Sequence, residues 1–67
     1  MNEIIYIVYD DLHGLQCACK DKAKATEKVN NIAYNIYELP KNTEPDYDDE
    51  ECYGFEGAAM WYNAEVE

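Results

Sequence analysis

Sixty-seven residues, 48% of them hydrophobic, make one domain (1–67) whose core is about one helix against one sheet, too thin a body for a deep substrate cleft. Fifteen acids against five bases give a net charge of −10, and with no arginine among those bases the composition argues against direct phosphate binding. The three cysteines have no disulfide-framework spacing, Met1-Asn2-Glu3 lacks the basic start of a signal peptide, and no apolar run approaches the roughly 20 residues that span a bilayer, so a cytoplasmic protein is expected.

Residues 4–9 are Ile4, Ile5, Tyr6, Ile7, Val8 and Tyr9, all β-branched or aromatic, which is the composition of a strand buried on both faces. It is placed at the centre of a sheet. Asp10 and Asp11 end it, and Leu12-His13-Gly14 predicts a turn in which Gly14 takes positive φ. Leu15, Cys17 and Cys19 then alternate with Gln16, Ala18 and Lys20, predicting the second strand of a hairpin with Leu15 on the same face as the two thiols.

Asp21 is a good N-cap, after which Ala25, Val29, Ile32, Ala33, Ile36 and Leu39 recur at three- and four-residue spacing and predict a helix over 22–39, ended by Pro40. Its outer face carries Glu27, Asn31, Tyr34 and Glu38. Residues 42–51 lack apolar periodicity and read as an acidic loop. Cys52-Tyr53-Gly54-Phe55 allows a short strand. Met60, Tyr62, Ala64 and Val66 alternate with Trp61, Asn63, Glu65 and Glu67 in a last strand, which puts Trp61 on the polar side.

The expected fold is α+β, an antiparallel β-β-α-β sheet of three to four strands with one helix on one face. One set of first-strand side chains, either Ile5, Ile7 and Tyr9 or Ile4, Tyr6 and Val8, must then point away from the helix. Three covers stay open: the segment bearing Tyr47, Tyr53 and Phe55, a second copy of the chain in a homodimer, or a foreign protein.

Charge is unevenly placed. The lysines all lie in 20–41, whereas 42–67 holds Glu44, Asp46, Asp48, Asp49, Glu50, Glu51, Glu56, Glu65 and Glu67 with no base. Side chains two apart on an extended segment lie about 6–7 Å apart, near the spacing of successive phosphates, so Asp46, Asp48 and Glu50 in that form would match a basic nucleic-acid-binding groove. Tyr47, Tyr53 and Trp61 nearby supply apolar anchors beside steering charges. The expected partner-binding set is therefore Glu44, Asp46, Tyr47, Asp48, Asp49, Glu50, Glu51, Tyr53, Glu56 and Trp61. The bland alternative is a solvated loop, with the tyrosines and Trp61 capping the second sheet face.

Other chemistry finds less support. An EF-hand starting at Asp49 places Glu51 and Gly54 correctly but fails at Tyr53 and Met60. His13, Cys17, Cys19 and Cys52 are zinc-ligand types without a knuckle spacing, so inert thiols under the helix are the simpler reading and a Cys/His metal module the lesser alternative. With one His and no phosphate loop or nucleophile elbow, neither a cofactor nor catalysis is expected.

The opening Ile5-Tyr6-Ile7-Val8-Tyr9-Asp10-Asp11, Gly14 before a short strand, the Lys- and Ala-rich helix start at 22–28 and the closing Trp61-Tyr62-Asn63-Ala64-Glu65-Val66-Glu67 resemble the layout of small acidic bacteriophage proteins. That group includes host-takeover factors and inhibitors of bacterial defence such as anti-CRISPR proteins. The resemblance implies an inhibitor of a host protein with a basic nucleic-acid-binding groove, and it carries over no catalytic residue. A self-assembling structural or interaction protein is the alternative.

Overall fold

A computed structural model describes residues 3–66; Met1, Asn2 and Glu67, which figured in the expectations above, lie outside the described residues. The chain is α+β. Strands β1 (Glu3–Asp10), β2 (Gly14–Cys19), β3 (Tyr47–Asp48), β4 (Cys52–Phe55) and β5 (Ala59–Val66) form one antiparallel sheet in the order β2-β1-β5-β4-β3, and helix α1 (Lys22–Asn31) runs on into a π-helical turn, Ile32–Ile36. The acidic stretch is thus not wholly loop, because it contributes β3 and the turn of a hairpin with β4. That hairpin brings the sheet to five strands instead of three or four.

The first strand is paired on both sides, with β2 and β5, but it is not buried on both faces as its composition suggested. Val8 is buried, Ile4 is 44% exposed, and Ile5, Ile7 and Tyr9 on the open face are only half-buried, because the helix covers only one side of the sheet. Register sets the faces. Val8 stands opposite Trp61, and together with Ala25, Val29, Ala33, Phe55, Ala58 and Ala59 they form the buried core beneath the helix. Tyr6 meets the Trp61 ring edge-on at 5.0 Å, and Tyr53 stacks on it at 6.3 Å. The opposite face carries Ile5, Ile7, Tyr9, Met60, Tyr62 and Ala64, paired strand to strand as Ile5 with Ala64, Ile7 with Tyr62 and Tyr9 with Met60. Among the described residues no second helical layer covers it. The segment 52–55 extends the sheet instead of folding back, and it turns Tyr53 and Phe55 toward the helix, so it is not the cover.

Three side chains depart from the alternation expected of them. Trp61 faces the helix and is fully buried, since this is the side on which the largest apolar group loses most contact with water and its indole N–H reaches Thr26 Oγ1 at 2.9 Å. Leu15 leaves the face of Cys17 and Cys19 because Val8 pairs with Cys17 while Tyr9 pairs with Leu15, a bulge at Gln16 that turns Leu15 to the open side, where it is 70% exposed. Ile36 is 59% exposed because the wider π turn, closed by the Tyr37 N–H to the Ile32 carbonyl at 3.1 Å, brings Tyr37 inward in its place.

Local signals account for the ends of the helix. The Asp21 carboxylate accepts from the Ala23 N–H at 2.9 Å, satisfying one of the orphan donors of the first turn. At the other end Glu38 takes φ 55, a left-handed conformation usually left to glycine, and the Leu39 N–H reaches back to the Ala33 carbonyl at 3.1 Å. The helix therefore stops short of the position Pro40 alone would set. Tyr34, expected outside, lies half-buried against the edge of Phe55.

Candidate interaction surface

The β3–β4 hairpin places the acids. The Asp46 N–H donates to the Gly54 carbonyl at 2.9 Å, the Asp49 N–H to the Cys52 carbonyl at 2.8 Å, and the Asp46 carboxylate accepts the Glu56 N–H at 2.8 Å. The tip is tied to β5, where the Asn63 N–H reaches the Glu51 carbonyl at 2.9 Å and its side-chain amide the Glu50 carbonyl at 3.3 Å. Asp46, Asp48, Asp49, Glu50, Glu51 and Glu56 are consequently exposed on one ordered edge of the sheet, with exposed Glu44 on the approach to it. Among the described residues no lysine forms an ion pair with any of them; the lysine pair present is Lys20 with Glu3, at 3.2 Å on the far side of β1.

This edge is not the regular ladder expected of Asp46, Asp48 and Glu50. Glu50 belongs to the hairpin turn instead of an extended run, and the Asp46 carboxylate is occupied in capping Glu56. What survives is the concentration of charge, not the phosphate-like repeat. Such an edge also has a purely structural use, because a short acidic edge strand resists pairing with the strands of other molecules.

The aromatic members divide. Tyr47 is 40% exposed on the open face. Tyr53 is half-buried on the helix face, its hydroxyl donating to Asn30 Oδ1 at 2.8 Å, and burial together with nearby Tyr34 and Asp48 holds its phenol above the usual range. Trp61 is out of reach of a partner: it is buried, with Lys22 Nζ 5.7 Å from its ring centre. Of the three anchors read from sequence, only Tyr47 offers its ring to the outside.

The metal-ligand types do not converge. Cys17 and Cys19 lie 3.9 Å apart, sulfur to sulfur, on the helix face, where burial and then the neighbouring thiol push Cys17 up, while Cys52 pairs opposite Tyr62 on the other side of the sheet. His13 turns to Asp10. Among the described residues no three His, Cys, Asp or Glu side chains are grouped to hold a metal ion.

Sequence reasoning missed the Asp10 cluster altogether. Asp10 is 2% exposed, and its carboxylate accepts the Leu12 N–H at 2.8 Å, the His13 N–H at 3.3 Å, the Tyr37 hydroxyl and, at 3.2 Å, His13 Nδ1. Burial alone would raise its pKa, but these donors, the Tyr37 hydroxyl foremost, lower it to about 2. The same bond, with burial, pushes the Tyr37 phenol up. The arrangement resembles the acid and base of a catalytic dyad, yet its partners are the strand's own turn and the end of the helix. It clasps the β1–β2 turn to the helix terminus.

Two cavities open elsewhere. One of about 380 Å³ lies between β2 and the end of the helix, lined by Cys17, Lys28, Ile32 and Ile36 among others. The second, about 310 Å³, lies on the open face beside the acidic edge and is lined by Tyr9, Asp11, Tyr47, Glu56 and Met60 together with the turn at 57–59. Neither is lined by Asp10 or His13.

Comparison with known proteins finds no matching family model, no matching curated protein and no matching solved structure. No helix among the described residues is long and apolar enough to cross a membrane.

Proposed function

We propose that this chain is a non-enzymatic binding protein of the cytoplasm that docks its acidic hairpin edge on the basic nucleic-acid-binding surface of a partner protein and blocks it, in the manner of phage inhibitors of host or defence proteins. The observation that carries this reading is the exposed row of carboxylates on β3, its turn and Glu56, held by backbone hydrogen bonds and unpaired with lysine among the described residues. Holding like charges together is unfavourable unless a cationic surface relieves it, and such complementarity speeds encounter and fixes orientation.

The test is reversal of Asp48, Asp49, Glu50 and Glu51 to Lys, leaving Asp46 in place because it caps Glu56. A partner captured by the native chain should be released by heparin and by salt, compete with its own DNA or RNA, and fail to bind the reversed variant while the variant's circular dichroism is unchanged. Capture that is indifferent to both reversal and salt would overturn the reading.

A second reading is favoured by a separate observation. The open sheet face carries Ile5, Ile7, Tyr62 and Ala64 with no charge among them and, among the described residues, no helix above, which suits self-association face to face. Light scattering at tens of micromolar should then give a dimer that Tyr62→Lys dissociates. A monomer under those conditions removes it.

A further inference from the structure

The open-face cavity joins features that bind a particular chemistry. It is lined by the aromatic residues Tyr9, Tyr47 and Phe55 and by Met60, and two carboxylate residues, Asp11 and Glu56, share the lining. Among the described residues no basic one lines it. Asp46 is fixed beside it through the Glu56 N–H. Ring faces and a polarisable sulfur attract a cation, and carboxylates at the same site select for one over a neutral group.

The cavity is also built in advance. The Tyr9 hydroxyl donates to Met60 Sδ at 3.5 Å, and the Asp11 N–H to the Ala58 carbonyl at 2.8 Å ties the end of β1 to the turn before β5. Gly54, the partner of both Tyr47 and Met60 across the strands, leaves room for the methionine: a Cβ there would stand 2.6 Å from Met60 Cγ. At about 310 Å³ it stands at the small end of ligand pockets, which run from about 300 to 1,000 Å³, a size suited to one long side chain and not to a helix. The absence of three grouped ligands among the described residues argues against a bare metal ion.

We propose that this cavity receives a single cationic side chain, an arginine or lysine, of the partner protein, and so anchors the contact that the acidic edge steers. The proposal rests on the reading of the partner as basic and adds to it the place where one residue is gripped. Arginine fits better than lysine, because its planar guanidinium stacks on a ring while its N–H groups reach carboxylates at the edge.

The probe is the capped tripeptide acetyl-Gly-Arg-Gly-amide, titrated into ¹⁵N-labelled protein and followed by heteronuclear correlation spectra, beside its lysine and citrulline counterparts. Citrulline keeps the shape and removes the charge. Shifts should be confined to amides at Tyr9, Asp11, Tyr47, Gly57, Ala58 and Met60, be weaker with lysine, and vanish with citrulline. Tyr47→Ala should weaken binding about 3- to 5-fold, the worth of a modest cation–π contact. Glu56→Gln should weaken it as well, and Ile5→Ala, on the same face but paired with Ala64 away from the cavity, should leave it unchanged. Shifts spread along 48–51, or equal response to citrulline, or indifference to both Tyr47→Ala and Glu56→Gln would overturn the proposal. If the tripeptide fails at the cavity while charge reversal at 48–51 still abolishes partner capture, the pocket alone falls. If the tripeptide binds and capture ignores reversal, it is the docking of the hairpin that falls.

Discussion

The two faces of the sheet are made from the same strands, yet they behave as different materials. Under the helix, Val8, Trp61 and Phe55 interlock with Ala25, Val29 and Ala33, and among the described residues no buried side-chain nitrogen or oxygen lacks a partner: Trp61 bonds Thr26, Tyr53 bonds Asn30 and Asp10 bonds Tyr37. On the open face, Ile5, Ile7, Tyr9 and Tyr62 pack only sideways against one another, with Tyr9 and Tyr62 edge-to-face at 5.6 Å. The lesson is that stability is concentrated in one layer.

Adjacent residues on β5 give the sharpest contrast. Trp61→Ala removes a fully buried aromatic and should cost about 3–5 kcal/mol, close to all the stability a domain this small commands, so urea denaturation should find it largely unfolded. Tyr62→Ala, one residue on and 43% exposed, should cost no more than about 1 kcal/mol. Similar losses at both positions would mean that the open face is closed in solution.

The open face is not tolerant everywhere. Gly54 has φ 152, and a Cβ there would meet the Ala59 carbonyl oxygen at 2.4 Å and Met60 Cα at 2.5 Å. Gly54→Ala should therefore destabilise by roughly 1–3 kcal/mol, read from the thermal midpoint, and should separate β4 from β5 before it disturbs the helix.

Acid tests the clasp on the covered side. A carboxylate whose pKa is lowered to about 2 on folding contributes stability that is fully present above its ordinary value near 3.8 and is lost as pH falls from there toward 2. Stability followed by fluorescence should fall across that window. Tyr37→Phe, which takes away the foremost lowering donor, should move acid unfolding to higher pH. The smallest effect is expected at the helix end, where Glu38→Gly relieves a left-handed φ of 55 and should stabilise by up to about 1 kcal/mol.

What the sequence disclosed follows from the range of each interaction. The first strand, the hairpin turn at Gly14, the Asp21 cap and the last strand are written in neighbouring residues, and all are found, although the hairpin at 47–55 shifts the centre of the sheet from the first strand to the last. The collection of acids at one edge was legible too, since charge composition needs no register. Register itself was not. Alternation on β5 separates Met60, Tyr62 and Ala64 from Trp61 but cannot say which set meets the helix, and pairing with Val8 decides it. The same holds for Leu15, turned over by one bulged residue, and for Asp10, whose partner Tyr37 is 27 positions away. The pocket needed three distant segments to meet, so Tyr9, Asp11 and Met60 carried no local mark of it.

The widened turn at 32–36 acts as a one-residue insertion in an otherwise regular spiral. Each residue of an α-helix advances the side-chain direction by about 100°. Closing that turn to α spacing with every residue kept would swing Ile36 back over the sheet and carry the tyrosine hydroxyl away from the Asp10 carboxylate, whereas deleting one residue within it would remove the widening and leave Tyr37 in place. The hydrogen-bond spacing of one turn thus stands between two wirings of the same fold, one greased and one bolted, and the chain has the bolted one.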